Sequence, residues 1–208
     1  MPDLELIGRS SSHFTRVPVM FAHEICCKFR FTPILDLASL DVSVYGGNPA
    51  LRFPVLLIDG TPLYGALNIC RELARIRGVT DDVFWPEDYD RNRLLQNAHE
   101  LLMTAMSTQV TLVISKFFAK LPTDNALPRK LRPSLNGILG WLADNLDAVK
   151  AELPGDKMNL FEPTLYCLLE HINFRRTLSL ESYHRLLVFV EEYGTRESAL
   201  ATPYRFDE

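Results

Sequence analysis

The sequence predicts a small α/β domain followed by an all-helical one. Three observations predict it. Residues 1–78 mix short apolar runs with apolar residues at helical spacing, whereas residues 89–208 hold only the helical kind. A polar stretch over 79–88, containing Trp85 and Pro86, joins the two. A length of 208 residues accommodates one or two domains and a sizeable core.

Each element follows from its own residues. Residues 4–8 are a short apolar run ending at Gly8, which reads as a strand. Ser10, Ser11 and Ser12 follow, then a helical stretch over about 13–28 that contains Pro18. A proline is tolerated in a first turn, so the helix begins a few residues before Pro18 or kinks there. Residues 31–37 read as a second strand, and Pro33 assigns it to an edge or a bulge. Two apolar runs, 55–58 and 61–64, flank Asp59-Gly60, the strongest short signal for a tight hairpin, since both residues tolerate positive φ. Ala66, Ile69, Cys70, Leu73 and Ile76 then recur at helical spacing until Gly78.

Beyond the connector, a long helix is expected over roughly 89–121, free of Pro and Gly. Leu135, Ile138, Leu139, Leu142, Leu146 and Val149 mark a second, stopped by Pro154-Gly155. Leu165, Leu168, Leu169 and Ile172 mark a third, opened by Asn159 with Glu162 in a capping-box spacing. Leu180, Tyr183, Leu187 and Val190 mark a fourth, between Ser179 and Gly194. The last dozen residues are polar and are expected on the surface.

Composition excludes several functions. Lys and Arg number 22 against 26 Asp and Glu, a net charge of −4, so no broad nucleic-acid footprint is expected. No uninterrupted apolar run approaches the roughly 18–20 residues that span a bilayer, and the first residues lack the apolar core of a signal peptide. Cys26, Cys27, Cys70 and Cys167 form no CxxC pair, which argues for free thiols in a reducing compartment, the cytoplasm. His13, His23, His99, His171 and His184 show no HxxxH spacing, so no metal is expected. Phosphate-loop and nucleophile-elbow motifs are absent too.

Several segments carry a family resemblance. Residues 48–56, Asn-Pro-Ala-Leu-Arg-Phe-Pro-Val-Leu, resemble the NPxxKVPVL segment of cytosolic glutathione transferases, with Arg52 in the basic position. Asp59-Gly60 and Leu63 continue in register. Ser12-His13-Phe14-Thr15-Arg16 resembles the SPFSR-type start of that family's first helix, and the box at Asn159 resembles its S-x-x-D box. The resemblance covers the whole chain and is strongest over 48–76. It implies a thioredoxin-like domain over 1–78, a linker over 79–88 and a helical bundle over 89–208, the glutathione transferase fold. It also implies a homodimer, glutathione as co-substrate, and conjugation of its thiolate to a small apolar electrophile, with detoxification as the role.

The same resemblance assigns residues. Pro54 is expected in a cis peptide, with the backbone of Phe53 meeting the cysteinyl part of glutathione. Ser12 aligns with the thiol-activating serine. A hydroxyl at a helix N-terminus favours a thiolate by hydrogen bonding and by the helix dipole. Ser12 also suits a plain N-cap, and Ser10 and Ser11 lie close enough to compete for the role. Arg52 aligns with the residue meeting the glycine carboxylate, or is a solvated loop charge. Arg16 is expected in a structural pair or in solvent. A second substrate would lie against the long helix, where Met103, Met106, Gln109, Val110 and Val113 either line it or pack the bundle.

One departure weighs against ordinary activity. The family reads (E/Q)-S-x-A-I before its third helix, where acid or amide and serine hold the γ-glutamyl group. Gly65 and Ala66 stand in those two places. Only backbone amides remain there for a carboxylate. Two lost contacts to a charged ligand, about 1.5–3 kcal/mol each, weaken binding by two or more powers of ten. The departure motivates one alternative to the enzyme, a non-enzymatic dimeric interaction or regulatory module; the Ser-rich loop resembles, loosely, that of a glutathione-dependent isomerase or lyase acting on a small acid. No cysteine lies in 1–25, which disfavours redox chemistry at the Ser12 position.

Overall fold

Four short strands carry the first part of the chain. In the computed structural model, which describes residues 2–90 and 92–208, these are β1 (Leu4–Gly8), β2 (Arg30–Pro33), β3 (Val55–Ile58) and β4 (Thr61–Tyr64). They pair in the order β2-β1-β3-β4, with β1 parallel to β2 and the other pairs antiparallel. Helices α1 (His13–Glu24) and α2 (Ala66–Arg77) complete the unit. Ile7, Ile34, Tyr45 and Val55 form a core cluster, with Phe53 and Leu57 packed against it.

The hairpin forms as its turn chemistry predicts. Asp59 and Gly60 have φ of 48° and 80°, the two positive values a tight two-residue turn requires. Helix α2 stops at Gly78, φ 71°, whose conformation lets the Val79 N–H reach the Ala74 carbonyl. Helix α1 differs from expectation. It ends at Glu24, because Cys26 turns left-handed (φ 52°) and the Cys27 N–H closes on the Ala22 carbonyl. Pro18 lies inside it, five residues past His13, without ending it. Strand β2 stops at Pro33, which lacks the N–H to extend the ladder and lies on the sheet's edge, as expected.

The chain divides into two compact units. One comprises Met1–Asp81 together with Thr195–Glu208; the other is Asp82–Gly194. The closing residues, expected to belong to the helical half, form the short helix α7 (Glu197–Ala201; α3–α6 are given below) and pack on α1. Arg16 is one of its anchors. It is only 5% exposed. Its Nη2 donates to the Ala199 carbonyl at 3.1 Å, its Nε to Thr202 Oγ1 at 3.3 Å, and its guanidinium lies 4.5 Å from the Tyr204 ring centre. A cation at the last turn of α7 also complements that helix's dipole. Ser198 adds a hydroxyl bond to Glu24 at 2.5 Å.

In the second unit α3 (Arg93–Val113) packs against α4 (Ala126–Glu152) and α5 (Phe161–Arg175), and α6 (His184–Tyr193) packs against α4 and α5. The segment Arg93–Phe118 is long and apolar enough to cross a membrane by those two measures; here Leu102, Ala105 and Met106 are buried in the packed bundle. It is shorter than the expected 89–121, giving way to a π-helical turn over Ile114–Phe118. Helix α4 begins earlier than Leu135, with Asn125 capping the Leu127 N–H and Pro133 inside. Asn159 and Glu162 pair before α5, whose N-cap is Leu160: the Asn159 Oδ1 accepts the Glu162 N–H and its Nδ2 donates to Glu162 Oε2, both at 2.9 Å. The connector is not free chain. Two-residue strands β5 (Val83–Phe84) and β6 (Met158–Asn159) pair in parallel, and Trp85 and Tyr89 are buried.

Candidate functional site

Sheet register brings three loops to one end of the first unit. Strand β1 runs antiparallel to β3 with Ile7 opposite Val55, so the loop leaving β1 and the residues entering β3 are neighbours. Strand β4 pairs Tyr64 with Val55. The Gly65 N–H then reaches the Pro54 carbonyl at 3.3 Å. The 9–12 loop, Phe53-Pro54 and Gly65-Ala66 therefore share this end of the sheet. The Phe53–Pro54 peptide is cis.

Ser12 is the N-cap of α1. Its Oγ accepts the Thr15 N–H at 3.3 Å, and its own O–H proton is left to donate elsewhere. The bond it accepts polarises the hydroxyl and improves it as a donor. No acidic residue occupies the first turn of α1, so the amides and dipole there favour an anion. The neighbours separate from Ser12. Ser11 is 2% exposed, while Ser12 is half-buried. The Ser10 N–H donates to Asp207 Oδ2 at 2.9 Å, so the Ser10 backbone faces the C-terminal segment.

The loop before β3 is braced by a residue to which the motif alone assigned no role. Asn48 is 7% exposed. Its Oδ1 accepts the Ala50 N–H at 3.0 Å and its Nδ2 donates to the Arg52 carbonyl at 2.8 Å, fixing the backbone that leads into Phe53. Tyr64 adds a hydroxyl bond to the Gly47 carbonyl at 3.0 Å. Arg52 itself is exposed, its side chain directed by no bond among the described residues.

Gly65 is the N-cap of α2 with φ 89° and ψ 137° and makes no side-chain cap bond. A Cβ there would meet nothing within 4 Å, yet that φ is one L residues rarely adopt. Ala66 opens the helix and brings no polar side chain. Asn68 does not compensate: its Nδ2 donates to the Tyr64 carbonyl at 3.1 Å and its Oδ1 accepts from Arg71 at 3.1 Å. This part of the site offers backbone amides alone.

Of the residues expected against a second substrate, Met106, Gln109 and Val113 are buried in the helical unit. Gln109 is held by Thr177, whose Oγ1 donates to its Oε1 at 2.8 Å, and by His171 Nδ1, 3.1 Å from its Nε2. Met103 does line a groove of about 370 Å³ on α3, beside Ser107 and Thr111. The cysteines stand apart from this chemistry. Burial pushes the Cys27 thiol up, against the opposing charge of Arg77.

Comparison with solved structures places this architecture. A glutathione S-transferase from Methylobacillus flagellatus with glutathione bound matches with a TM-score of 0.78 at 19% identity, over 98% of this chain and 100% of that one. One from Methylobacterium radiotolerans in complex with glutathione sulfonate matches at 0.77 and 18%, over 99% and 97%. A glutathione transferase family member from Pseudomonas fluorescens with bound glutathione matches at 0.74 and 19%, over 98% and 100%. No family model matches the chain, and no curated protein matches it in sequence. The chain has the glutathione transferase fold.

Proposed function

We propose that the protein binds glutathione and conjugates its thiolate to a small apolar electrophile, acting as a serine-type glutathione transferase. The observation that carries this reading is Ser12: a half-buried N-cap whose hydroxyl keeps its proton for an incoming anion, at a helix start without acidic residues. Its support from likeness is the fold shared with structures that hold glutathione. In this reading Phe53's backbone meets the cysteinyl residue. The first amides of α2, at Ala66 and Leu67, take the γ-glutamyl carboxylate, and Arg52 takes the glycine carboxylate. The thiol loses its proton to solvent, the Ser12 O–H donates to the sulfur, and the thiolate forms a carbon–sulfur bond as the electrophile's leaving group departs. A cytoplasmic homodimer belongs to the same reading, and light scattering checks its size. Calorimetry tests the whole: heat on adding glutathione is expected, and none at millimolar ligand with folded protein refutes it.

A second reading has its own observation. Gly65 and Ala66 provide no side chain at the γ-glutamyl end, and Asn68 is engaged elsewhere. A module that keeps the shape for protein contacts, without glutathione chemistry, has the same appearance. Ala66→Ser separates the two, since it restores a hydroxyl at helix position one while leaving the positive φ of Gly65 untouched. For the module, Ala66→Ser creates glutathione binding that the natural chain lacks. For the enzyme, both bind, and the variant binds about tenfold or more tightly.

A further inference from the structure

Within the first unit, a pocket of about 200 Å³ lies between α1, the approach to β2 and the C-terminal residues, and no role above uses it. Its charged lining is cationic throughout: Arg9, Arg16 and Arg205, with His23 beside them. No carboxylate lines it, although the chain as a whole carries a net charge of −4. The apolar part of the wall includes Phe29 and Phe31.

The three arginines are not equivalent. Arg16 is engaged in holding Ala199, Thr202 and Tyr204, and so builds the wall. Arg9 and Arg205 have no carboxylate within 4 Å among the described residues, and Arg9 Nε is a buried donor with no hydrogen-bond partner there. A buried guanidinium N–H without an acceptor is unfavourable, and an arriving anion satisfies it. Two acids next to this region are already engaged: Asp207 accepts from the Ser10 N–H, and Glu24 from the Ser198 hydroxyl. A guanidinium fork suits the two oxygens of a carboxylate. Aromatic walls suit a flat apolar body, and the volume falls below the roughly 300–1,000 Å³ of pockets for drug-sized ligands.

We propose that this pocket is a binding site for a small arene monocarboxylate, its carboxylate held by Arg9 and Arg205 and its ring packed against Phe29 and Phe31. The inference stands whether or not glutathione binds. The test uses the full chain, with benzoate, benzamide and inorganic phosphate as probes, followed by calorimetry and by saturation-transfer NMR of the probe protons. Benzoate is expected to bind, and benzamide, the same shape without the charge, about tenfold or more weakly. Arg9→Gln and Arg205→Gln are each expected to weaken benzoate about 10- to 100-fold. Arg205 is exposed, so its variant serves if Arg9→Gln fails to fold. Absence of benzoate binding, equal binding of benzamide, or unchanged affinity in Arg205→Gln overturns the site. Phosphate binding as tightly as benzoate overturns the arene class.

Discussion

Replacing Ser12 with alanine separates its two roles, one structural and one chemical. The structural role is visible: Oγ accepts the Thr15 N–H at 3.3 Å. Losing an N-cap costs about 1 kcal/mol. For a chain of this size that lowers the melting temperature by about 2–4 °C, so the variant stays folded. The chemical role is the proposed one, an O–H donated to a thiolate. A hydrogen bond to a charged group contributes about 1.5–3 kcal/mol. One pKa unit corresponds to about 1.4 kcal/mol, so the bound thiol is expected to titrate about one to two units higher in Ser12→Ala. With an unassisted thiol near 8.5, the thiolate fraction at neutral pH, and with it kcat/KM, then falls about 8- to 25-fold. Ser12→Thr keeps both the cap and the hydroxyl and is expected to keep most activity. Ultraviolet absorbance of the bound thiolate across pH gives the titration, and a thermal melt gives the cap. A melt that drops while the bound thiol titrates unchanged shows Ser12 to be a cap alone, and the proposed chemistry loses its thiolate stabiliser.

Three further outcomes are expected. Arg16→Ala removes two hydrogen bonds and the Tyr204 contact, so stability in denaturant falls by about 3 kcal/mol; amide exchange should quicken first in 197–204, with Arg16→Lys recovering only part for want of the planar fork. Gln109→Ala removes the buried amide that bonds Thr177 and faces His171, and is expected to cost about 3 kcal/mol by the same denaturant measurement. Burial, aided by the charge of Asp88, pushes the Tyr89 phenol up to about 12 from an ordinary 10.0. Its neutral form is thus favoured by the fold. That contribution is whole below pH 10 and is lost as pH rises through 12, about 3 kcal/mol in all. Tyr89→Phe should lack this alkaline loss and, because the Tyr89 hydroxyl is buried without a partner among the described residues, gain about 1 kcal/mol at neutral pH. Denaturant midpoints of both chains across pH check it.

Legibility in the sequence followed locality. The Asp59-Gly60 hairpin, the Gly78 stop and the Asn159 box each rest on bonds within a few residues, so their chemistry is written where it acts. The end of α1 was not readable, because a left-handed Cys26 breaks the usual preference for glycine at that position. Strands β5 and β6 were missed because two residues show no periodicity. The docking of 195–208 was missed for a different reason: it depends on Arg16, whose partners lie at Ala199 and Thr202 and leave no trace near residue 16.

The candidate site shows how far such reading extends. Ser12, Phe53-Pro54 and Gly65-Ala66 are distant in sequence, and nothing local requires them to meet. They meet because β1 and β3 pair through their buried apolar residues and the Asp59-Gly60 turn fixes β4 on β3, so that Ile7, Val55 and Tyr64 align across three strands. A one-residue slip between β1 and β3 would turn Val55 or Ile7 out of the core, so burial of these side chains enforces that part of the juxtaposition. Arg9 and Arg205 have no such guarantee. One follows β1, but the other lies beyond α7, in a segment that Arg16 holds together with the Ser198–Glu24 and Ser10–Asp207 bonds. Their pocket therefore answers to Arg16→Ala as well as to their own substitution, whereas Ser12, capping α1 beside the strand register, does not depend on that segment.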